Sequence, residues 1–247
     1  MRPAHATLLV FFLASTAALF AADPVPGKQV EQSFATSDGG SMPYLLYLPE
    51  NYSATSDKVP VILFLHGRGE SYGPLSLVAK WGPPCRLAAG EQMHYLVVSP
   101  QCPKESSWDK ADQQARLLEL LALIKKTCHV DEDRIYLTGM SMGGYGSWRL
   151  AADHPEMFAA MVPVCGGGTP ADAGRLIKLP IWAWHGTDDP AVPFAQSVGM
   201  VEAIKAAGGT RVRFTSLEYI GHFSWQAAYS SNDLYAWLDQ QKASLNK

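Results

Sequence analysis

A serine, an aspartate and a histidine stand in this sequence in the order and the contexts that nucleophilic catalysis needs. They are Ser141 in "GMSMG", Asp189 in "HGTDDPAVP" and His222 in "IGHFSW". A serine hydroxyl is a poor nucleophile at neutral pH, so it needs a base to accept its proton and an acid to orient that base. We therefore predict a hydrolytic triad in which Ser141 attacks, His222 is the base and Asp189 orients His222.

The residues around Ser141 predict a nucleophile elbow. The pattern "GMSMG" follows a predicted strand over 134–139 and precedes a predicted helix over 144–154. A serine on so tight a strand-to-helix turn has close neighbours, and glycines two residues before and after it remove side chains that would collide. The five-residue pattern alone also fits an N-cap serine in a flexible turn. The flanking strand and helix favour the elbow.

Spacing decides among three aspartates that could serve as the acid. Asp189 stands three residues before the Val-Pro pair of "HGTDDPAVP", whereas its neighbour Asp188 should point elsewhere. Asp172, on the loop after the preceding strand, is the third candidate. An aspartate at any of these positions could instead cap a helix or a turn. We expect Asp189 to be the acid and keep Asp188 and Asp172 as alternatives.

The choice of base rests on position relative to the predicted strands. His222 is the one histidine after Ser141 that also follows the last strand. His154 lies near a helix end, which it would cap, and His185 lies inside "WAWHG", where it would be buried and structural. A hydrogen-bonded core histidine is the alternative for His222. The chain order Ser, Asp, His of this kind of sheet favours His222 as the base.

Two backbone N–H groups must stabilise the oxygen that becomes negative during attack. One is expected from Met142, the residue after the nucleophile, and the other from Arg68 in the loop "HGRGE". Gly67 and Gly69 would let that loop approach closely, and His66 would orient it. An ordinary turn is the alternative reading of this loop.

Apolar runs of strand length alternate with helical patterns along the chain. This alternation predicts an α/β fold with a mostly parallel sheet of about eight strands and helices on both faces. Ligands of such sheets bind at the carboxyl ends of the strands, where Ser141, Asp189 and His222 would all lie. The predicted strands are 29–36, 43–48, 59–67, 93–100, 134–139, 158–166, 179–186 and 210–218, and the predicted helices are 114–128, 144–154, 194–207 and 232–244.

Composition excludes several other classes of protein. The chain has 247 residues, 47% of them hydrophobic and 17% charged, which is typical of a globular domain with a large core. The net charge is -3 and no long basic run occurs, so a nucleic-acid partner is not expected. No CxxC pair or His/Cys cluster occurs, so a structural zinc site is not expected, and neither is another metal or a cofactor.

The N-terminus predicts export. Residues 1–22 combine Arg2, a short apolar core and small residues before Asp23, which is typical of a signal peptide. We expect residues 23–247 to form one catalytic domain that is secreted or periplasmic, without stable membrane insertion. An uncleaved N-terminal anchor is the alternative. Export would allow disulfides among four cysteines; the pairing is open, with Cys85–Cys102 favoured, and so is the oligomeric state.

The sequence resembles a known family along nearly its whole mature length. The motifs "LFLHGRGE", "RIYLTGMSMGGYGSW", "WAWHGTDDPAVP" and "GHFSW" resemble small exported α/β-hydrolases described as predicted peptidases or phospholipase/carboxylesterase-like proteins. These are similar to feruloyl and acetyl-xylan esterases and to the catalytic domain of prolyl oligopeptidases. The resemblance implies the α/β-hydrolase fold, the same triad and the same oxyanion donors. The arginine of "HGRG" is a departure that could place a cation beside the site.

Three functions fit these residues. The first is a serine esterase acting on short-chain, aryl or carbohydrate esters, small or linked to polysaccharide. The second is a serine peptidase of the prolyl-oligopeptidase type, because the triad chemistry is the same. The third is a non-catalytic binding protein on a hydrolase scaffold, against which the intact triad argues.

The expected cleft is open. The stretch 167–178 between two strands is too short for a lid domain, which argues against a long-chain lipase. Trp108 and Trp225 could wall the cleft, and an aromatic wall would suit aryl or sugar esters; core packing is the alternative for both.

Overall fold

One eight-stranded sheet forms the centre of the protein. The computed structural model of the chain describes residues 23–55 and 57–246, so the predicted signal peptide lies outside the described residues. The strands are Gln29–Ala35 (β1), Ser41–Tyr47 (β2), Val59–Leu65 (β3), Leu96–Pro100 (β4), Val130–Met140 (β5), Ala160–Val164 (β6), Ile181–Gly186 (β7) and Val212–Leu217 (β8). Their order is β1-β2-β4-β3-β5-β6-β7-β8, and β2 runs in the direction opposite to the other seven strands. The predicted sheet is confirmed.

Six α-helices within the described residues cover the sheet. They are Gly82–Ala88 (α1), Ala111–Thr127 (α2), Met142–Asp153 (α3), Ala195–Ala206 (α4), Trp225–Ser230 (α5) and Asn232–Asp239 (α6). Short 3-10 helices add Arg68–Ser71, Leu75–Lys80, Pro155–Met157, Pro170–Arg175, His222–Ser224 and Ala243–Leu245.

The predicted helix 232–244 is too long. The α-helix ends at Asp239 because the chain beyond it turns to bind the body of the protein. Ser244 donates its backbone N–H and its hydroxyl to the carboxylate of Asp133 at 2.6 and 2.8 Å. Arg211 donates to the carbonyl of Leu245 at 3.1 Å. These contacts hold residues 243–245 in a separate 3-10 turn.

Side chains alternate between two hydrophobic cores, one on each face of the sheet. In β3, Leu63 and Leu65 pack with helices α2, α3 and α4, whereas Ile62 and Phe64 pack with helices α1, α5 and α6. Successive side chains of a strand point to opposite faces, so a strand covered on both sides is apolar at every position. This arrangement explains the continuous apolar runs of the sequence.

No additional domain interrupts the described part of the chain. The stretch between β6 and β7 holds only the 3-10 helix Pro170–Arg175, as predicted for an open cleft. Within the described residues, no helix has the length and apolar character required to cross a membrane. All four cysteines are unpaired, so the favoured Cys85–Cys102 disulfide is wrong for this structure.

Helix α3 lies unusually close to the sheet. A Cβ atom added at Gly143 would lie 1.9 Å from the carbonyl oxygen of Leu65 at the end of β3. A Cβ atom at Gly144 would lie 2.7 Å from the carbonyl oxygen of Val164 at the end of β6. Gly143 and Gly144 together allow this approach. The first turn of α3 is therefore held between two strands by contacts that only glycine permits.

We expect Gly143→Ala to destabilise the protein, since the added methyl group must displace the backbone of Leu65 and His66. The overpacking should cost about 3 kcal/mol or more, which lowers Tm by roughly 6–12 °C in a domain of this size. Gly199→Ala in α4 is the matched control, because nothing lies within 4 Å of its Cβ position. That control should leave Tm unchanged or raise it, because the substitution adds about 0.5–1 kcal/mol to the free energy of unfolding. Equal melting temperatures for wild type and Gly143→Ala, measured by circular dichroism, would contradict the packing described.

Candidate active site

The three predicted triad residues meet at the carboxyl ends of β5, β7 and β8. Ser141 follows β5 directly, Asp189 lies in the loop after β7, and His222 opens the 3-10 helix after β8. The Oγ of Ser141 lies 2.9 Å from Nε2 of His222, and Nδ1 of His222 lies 2.7 Å from Oδ2 of Asp189. The predicted nucleophile, base and orienting acid are thus joined by two hydrogen bonds.

The backbone of Ser141 has the strained geometry of an elbow. Its φ of 54° and ψ of -117° lie in a region that non-glycine residues rarely adopt. Such a conformation costs about 1–3 kcal/mol and persists only where its surroundings enforce it. Here the N–H of Ser141 donates to the carbonyl of Val164 at 2.9 Å, and α3 begins at the next residue. The predicted elbow is present, with Ser141 half-buried at its apex.

The carboxylate of Asp189 is buried and faces four donors. Its Oδ1 accepts the backbone N–H groups of Ala191 and Val192, both at 2.9 Å. Its Oδ2 faces Nδ1 of His222 at 2.7 Å and Nε2 of His185 at 3.2 Å. Burial acts to raise the pKa of Asp189, but the bonds from His222, Val192 and Ala191 outweigh it and lower that pKa. These two backbone bonds explain why Asp189 stands three residues before the Val-Pro pair, since its side chain closes the turn by accepting the N–H groups of Ala191 and Val192.

The two alternative aspartates bind elsewhere. Asp188 is exposed and accepts the hydroxyl of Thr187 at 3.0 Å. Asp172 accepts from the guanidinium of Arg149 at 3.3 Å. The structure therefore brings only Asp189, of the three candidates, to His222.

His185 is a neighbour of the acid that sequence analysis treated as structural. It is fully buried, and its Nε2 faces two acceptors, Oδ2 of Asp189 at 3.2 Å and the carbonyl of Val192 at 3.0 Å. Burial lowers its pKa, so the ring is neutral and carries its proton on Nε2. Nδ1 lies 2.7 Å from the hydroxyl of Ser197. The available signal was that His185 stands four residues before Asp189, near the end of β7, the strand that leads into the loop of Asp189.

The predicted oxyanion donors Met142 and Arg68 both open helical turns. Met142 is the first residue of α3, and Arg68 is the first residue of the 3-10 helix Arg68–Ser71. The first N–H groups of a helix have no acceptor within that helix. Both backbone donors are therefore available to an external oxygen.

His66 fixes the loop that carries Arg68. Its Nδ1 donates to the carbonyl of Gly67 at 2.6 Å, while its Nε2 accepts the N–H of Cys102 at 2.9 Å. Burial lowers the pKa of His66 to about 4, so the ring stays neutral in this tautomer. Trp108 donates its Nε1–H to the carbonyl of His66 at 3.0 Å and is 0% exposed. Trp108 as a cleft wall is therefore wrong, because the side chain lies beneath the loop.

Glu70 also holds this loop, and sequence analysis missed it. The side chain is buried, and its carboxylate accepts the N–H groups of Gly67 and of Glu70 itself. A glutamate three residues into a helix that reaches back to the N-cap is half of a capping box, a signal visible in "GRGE". Gln101 donates to the carbonyl of Glu70 at 2.8 Å. The guanidinium of Arg68 donates to the carbonyl of Ser106 at 2.5 Å.

A cleft of about 300 Å³ opens above the triad. Trp225 lines it, as predicted, and its ring packs edge-on against His222 with centroids 5.0 Å apart. Trp81 and Phe223 extend the aromatic wall with centroids 5.9 Å apart, and neither was predicted. A larger cavity of about 530 Å³ lies away from the triad, near Arg175 and the C-terminal residues, and contains none of its residues.

Two of the triad residues also belong to a cluster of possible metal ligands. Ligand atoms of Cys165, Asp189 and His222 lie within 4.8 Å of one another. Burial raises the pKa of the Cys165 thiol to about 12, so the sulfur is neutral and a weak ligand. The nearest atoms of Asp189 and His222 are already hydrogen-bonded to each other. This donor set therefore fits a hydrogen-bonded triad better than a metal centre.

We expect His185 to position Asp189. In His185→Asn the donor to Oδ2 is lost, whereas the longer amide of His185→Gln keeps a donor near the place of Nε2. The folded pKa of Asp189 lies below its ordinary value, so its stabilising effect is lost as pH falls through that folded pKa. Loss of one donor raises the folded pKa, so His185→Asn should lose stability at a higher pH than wild type.

The measurement is kcat/KM for ester hydrolysis against pH, with urea unfolding over the same range. Misplacement of the acid should lower kcat/KM at neutral pH by about 10-fold to 100-fold in His185→Asn. His185→Gln should recover most of the loss. An equal loss of kcat/KM in both variants, with no shift in the pH at which stability falls, would mean that His185 only fills space.

Comparisons with known proteins agree with this geometry. The dipeptidyl-peptidase 5 of Porphyromonas gingivalis is 30% identical over 143 residues, 53% of this chain and 20% of that protein. The bifunctional acetylxylan esterase/xylanase of Neocallimastix patriciarum is 28% identical over 162 residues, 64% of this chain and 23% of that protein. This chain thus spans about a quarter or less of either relative. The crystal structure of a thermostable esterase superposes with a TM-score of 0.77 and 31% identity over 87% of this chain and 63% of that one.

The predicted resemblance to α/β-hydrolases of esterase type is confirmed by these similarities. The family match covers residues 102–231, from the end of β4 to the end of α5, which is more than half of the sequence. That span contains Ser141, Asp189 and His222. The chain belongs to the dienelactone hydrolase family.

Proposed function

We propose that this protein is an exported serine esterase that hydrolyses carboxylic esters through an acyl-enzyme. The observation that carries the proposal is the position of His222, 2.9 Å from the Oγ of Ser141 and 2.7 Å from the carboxylate of Asp189. The proposed substrates are short-chain, aryl or carbohydrate-linked esters. The export signal is residues 1–22, and the mature enzyme acts outside the cytoplasm.

In the first step Ser141 attacks the ester carbonyl. The Oγ–H proton passes to Nε2 of His222 as the Oγ–C bond forms, and the carbonyl π electrons move onto oxygen. Nδ1–H of His222 donates to Asp189, which selects the tautomer that leaves Nε2 free to accept. The ionised carboxylate then stabilises the imidazolium. The low pKa of Asp189 keeps it charged at neutral pH.

The negative oxygen is stabilised by the backbone N–H groups of Arg68 and Met142. Donors fixed before the reaction cost no reorganisation when the charge develops. His66, Trp108 and Glu70 supply this rigidity on the Arg68 side through buried hydrogen bonds.

The second half of the cycle returns the enzyme to its starting state. His222 gives its proton to the alkoxide, so the alcohol leaves and an acyl-Ser141 ester remains. Water then attacks the acyl carbon while His222 accepts a proton. Collapse of this second intermediate releases the carboxylic acid and returns the proton to Ser141.

The form of the cleft supports the proposed substrates. It lies open beside aromatic side chains, Trp81, Phe223 and Trp225, and no lid domain stands above it in the described residues. The relative from Neocallimastix patriciarum is named an acetylxylan esterase, which supports carbohydrate-linked esters.

Peptide hydrolysis is the second candidate. It is favoured by the similarity to a dipeptidyl-peptidase, of which this chain matches 20%. The triad is equally able to cleave amides, so substrate assays must separate the two activities.

The deciding experiment compares p-nitrophenyl acetate, butyrate and palmitate with peptide p-nitroanilides, using protein expressed as the full chain. We expect acetate and butyrate to be preferred, and Ser141→Ala to lower kcat by about 10³-fold or more. Asp189→Asn should be severely impaired, whereas Asp188→Asn, its exposed neighbour, should match wild type. The active protein should be recovered outside the cytoplasm without residues 1–22.

Each part of the proposal has its own contradicting result. A preference for palmitate would contradict the open cleft, and amine release at rates that rival ester cleavage would favour the peptidase. Full activity in Ser141→Ala would contradict the triad. Recovery of an uncleaved chain would contradict the signal peptide.

A further inference from the structure

A second cavity adjoins the catalytic cleft. Its volume is about 330 Å³, and it is lined by residues of α1 and α5, among them Cys85, Arg86 and Tyr229. Trp81 and Trp225 line both this cavity and the cleft above Ser141. We call it the second chamber. Cleft and second chamber together reach the size range of small-molecule sites, whereas each alone lies at its lower limit.

We propose that the second chamber binds an aromatic ring of the ester substrate while the ester group lies at Ser141. The inference rests on the proposed esterase function and adds a binding site to it. It predicts that esters carrying a ring a few bonds from the ester group are preferred over esters without one.

The two tryptophans place the second chamber within reach of the reacting ester. Trp225 packs edge-on against His222, with centroids 5.0 Å apart and planes at 85°. Trp81 also packs against Trp225, with centroids 5.9 Å apart and planes at 60°. Because this pair lines both spaces, a substrate group that extends past it from the carbonyl at Ser141 would enter the second chamber.

The lining favours a flat, uncharged group. Trp81, Trp225 and Tyr229 present aromatic surface, which packs favourably against another ring in edge-on or offset geometry. The charges at the border are already paired, since Arg86 lies 2.7 Å from the carboxylate of Glu91. The Arg86 guanidinium also lies over the ring of Tyr235, 4.8 Å from its centroid. An ionised substrate group would find no unpaired opposite charge in this lining.

Cys85 provides a way to fill the second chamber without touching the triad. It lines the second chamber and is half-buried. Cys102 and Cys165 are buried, so Cys128 is the other thiol within reach of a reagent. In a Cys128→Ser background, benzyl methanethiosulfonate should place a benzylthio group on Cys85 alone. Cys85→Ser in the same background is the matched control.

The kinetic test uses three esters: methyl 3-phenylpropanoate, with the ring on the acyl side, 2-phenylethyl acetate, with the ring on the alcohol side, and methyl acetate, without a ring. Unlabelled protein should prefer at least one ring-bearing ester. Labelling should lower kcat/KM for that ester about 10-fold or more, leave methyl acetate within about 2-fold, and be reversed by dithiothreitol. The ester that responds identifies the side of the substrate that the second chamber binds.

A binding measurement keeps the inference testable without turnover. Tryptophan fluorescence is titrated with 3-phenylpropanamide and with 2-phenylethanol, before and after labelling. Loss of binding on labelling of Cys85, with no loss in Cys85→Ser, supports the second chamber even if no ester is hydrolysed. The absence of ester hydrolysis would overturn only the esterase proposal. Complete labelling with unchanged binding and unchanged kcat/KM for every ester overturns the second chamber. An equal fall for all three esters also overturns it.

Discussion

The contact between the first turn of α3 and the ends of β3 and β6 is the constraint on which the rest of the site depends. Gly143 lies against the carbonyl of Leu65, and the N–H of Ser141 binds the carbonyl of Val164. Together they force Ser141 into its left-handed conformation at the apex of the turn. The same contact begins α3 at Met142, whose N–H has no acceptor within that helix. The positions of Ser141 and Met142 thus both follow from one contact. The strain at Ser141 is offset by the stability of the large core beneath.

Asp189 and the loop that carries Arg68 are both fixed by buried hydrogen bonds. Asp189 closes its own turn on Ala191 and Val192, and His185 holds the remaining face of the carboxylate. On the opposite side of the cleft, His66 and Glu70 bind the backbone that leads into Arg68. Buried polar networks of this kind are costly unless every member has a partner, and satisfied ones specify a single geometry. The reacting atoms are therefore held by residues that never touch the substrate.

Local patterns predicted the parts of this protein that local physics decides. The apolar runs predicted the strands because each buries both faces, and the spacing from Asp189 to Val192 predicted the acid because the side chain closes that turn. The misses depend on contacts between distant segments. Trp108 was placed in the cleft because its partner, the carbonyl of His66, lies 42 positions away in the sequence. His185 and Glu70 look like core and surface residues until the loops after β7 and β3 are folded.

The central claim is that Ser141 is a nucleophile activated by His222 and Asp189. The most direct measurement is labelling with a fluorophosphonate, followed by mass spectrometry of the peptide that spans 135–148. We expect one adduct per chain, located on Ser141, with labelling strongly slowed in His222→Ala and in Asp189→Asn although both variants remain folded. An adduct on another residue of the folded wild-type protein, or labelling of Ser141 at an unchanged rate in His222→Ala, would contradict it.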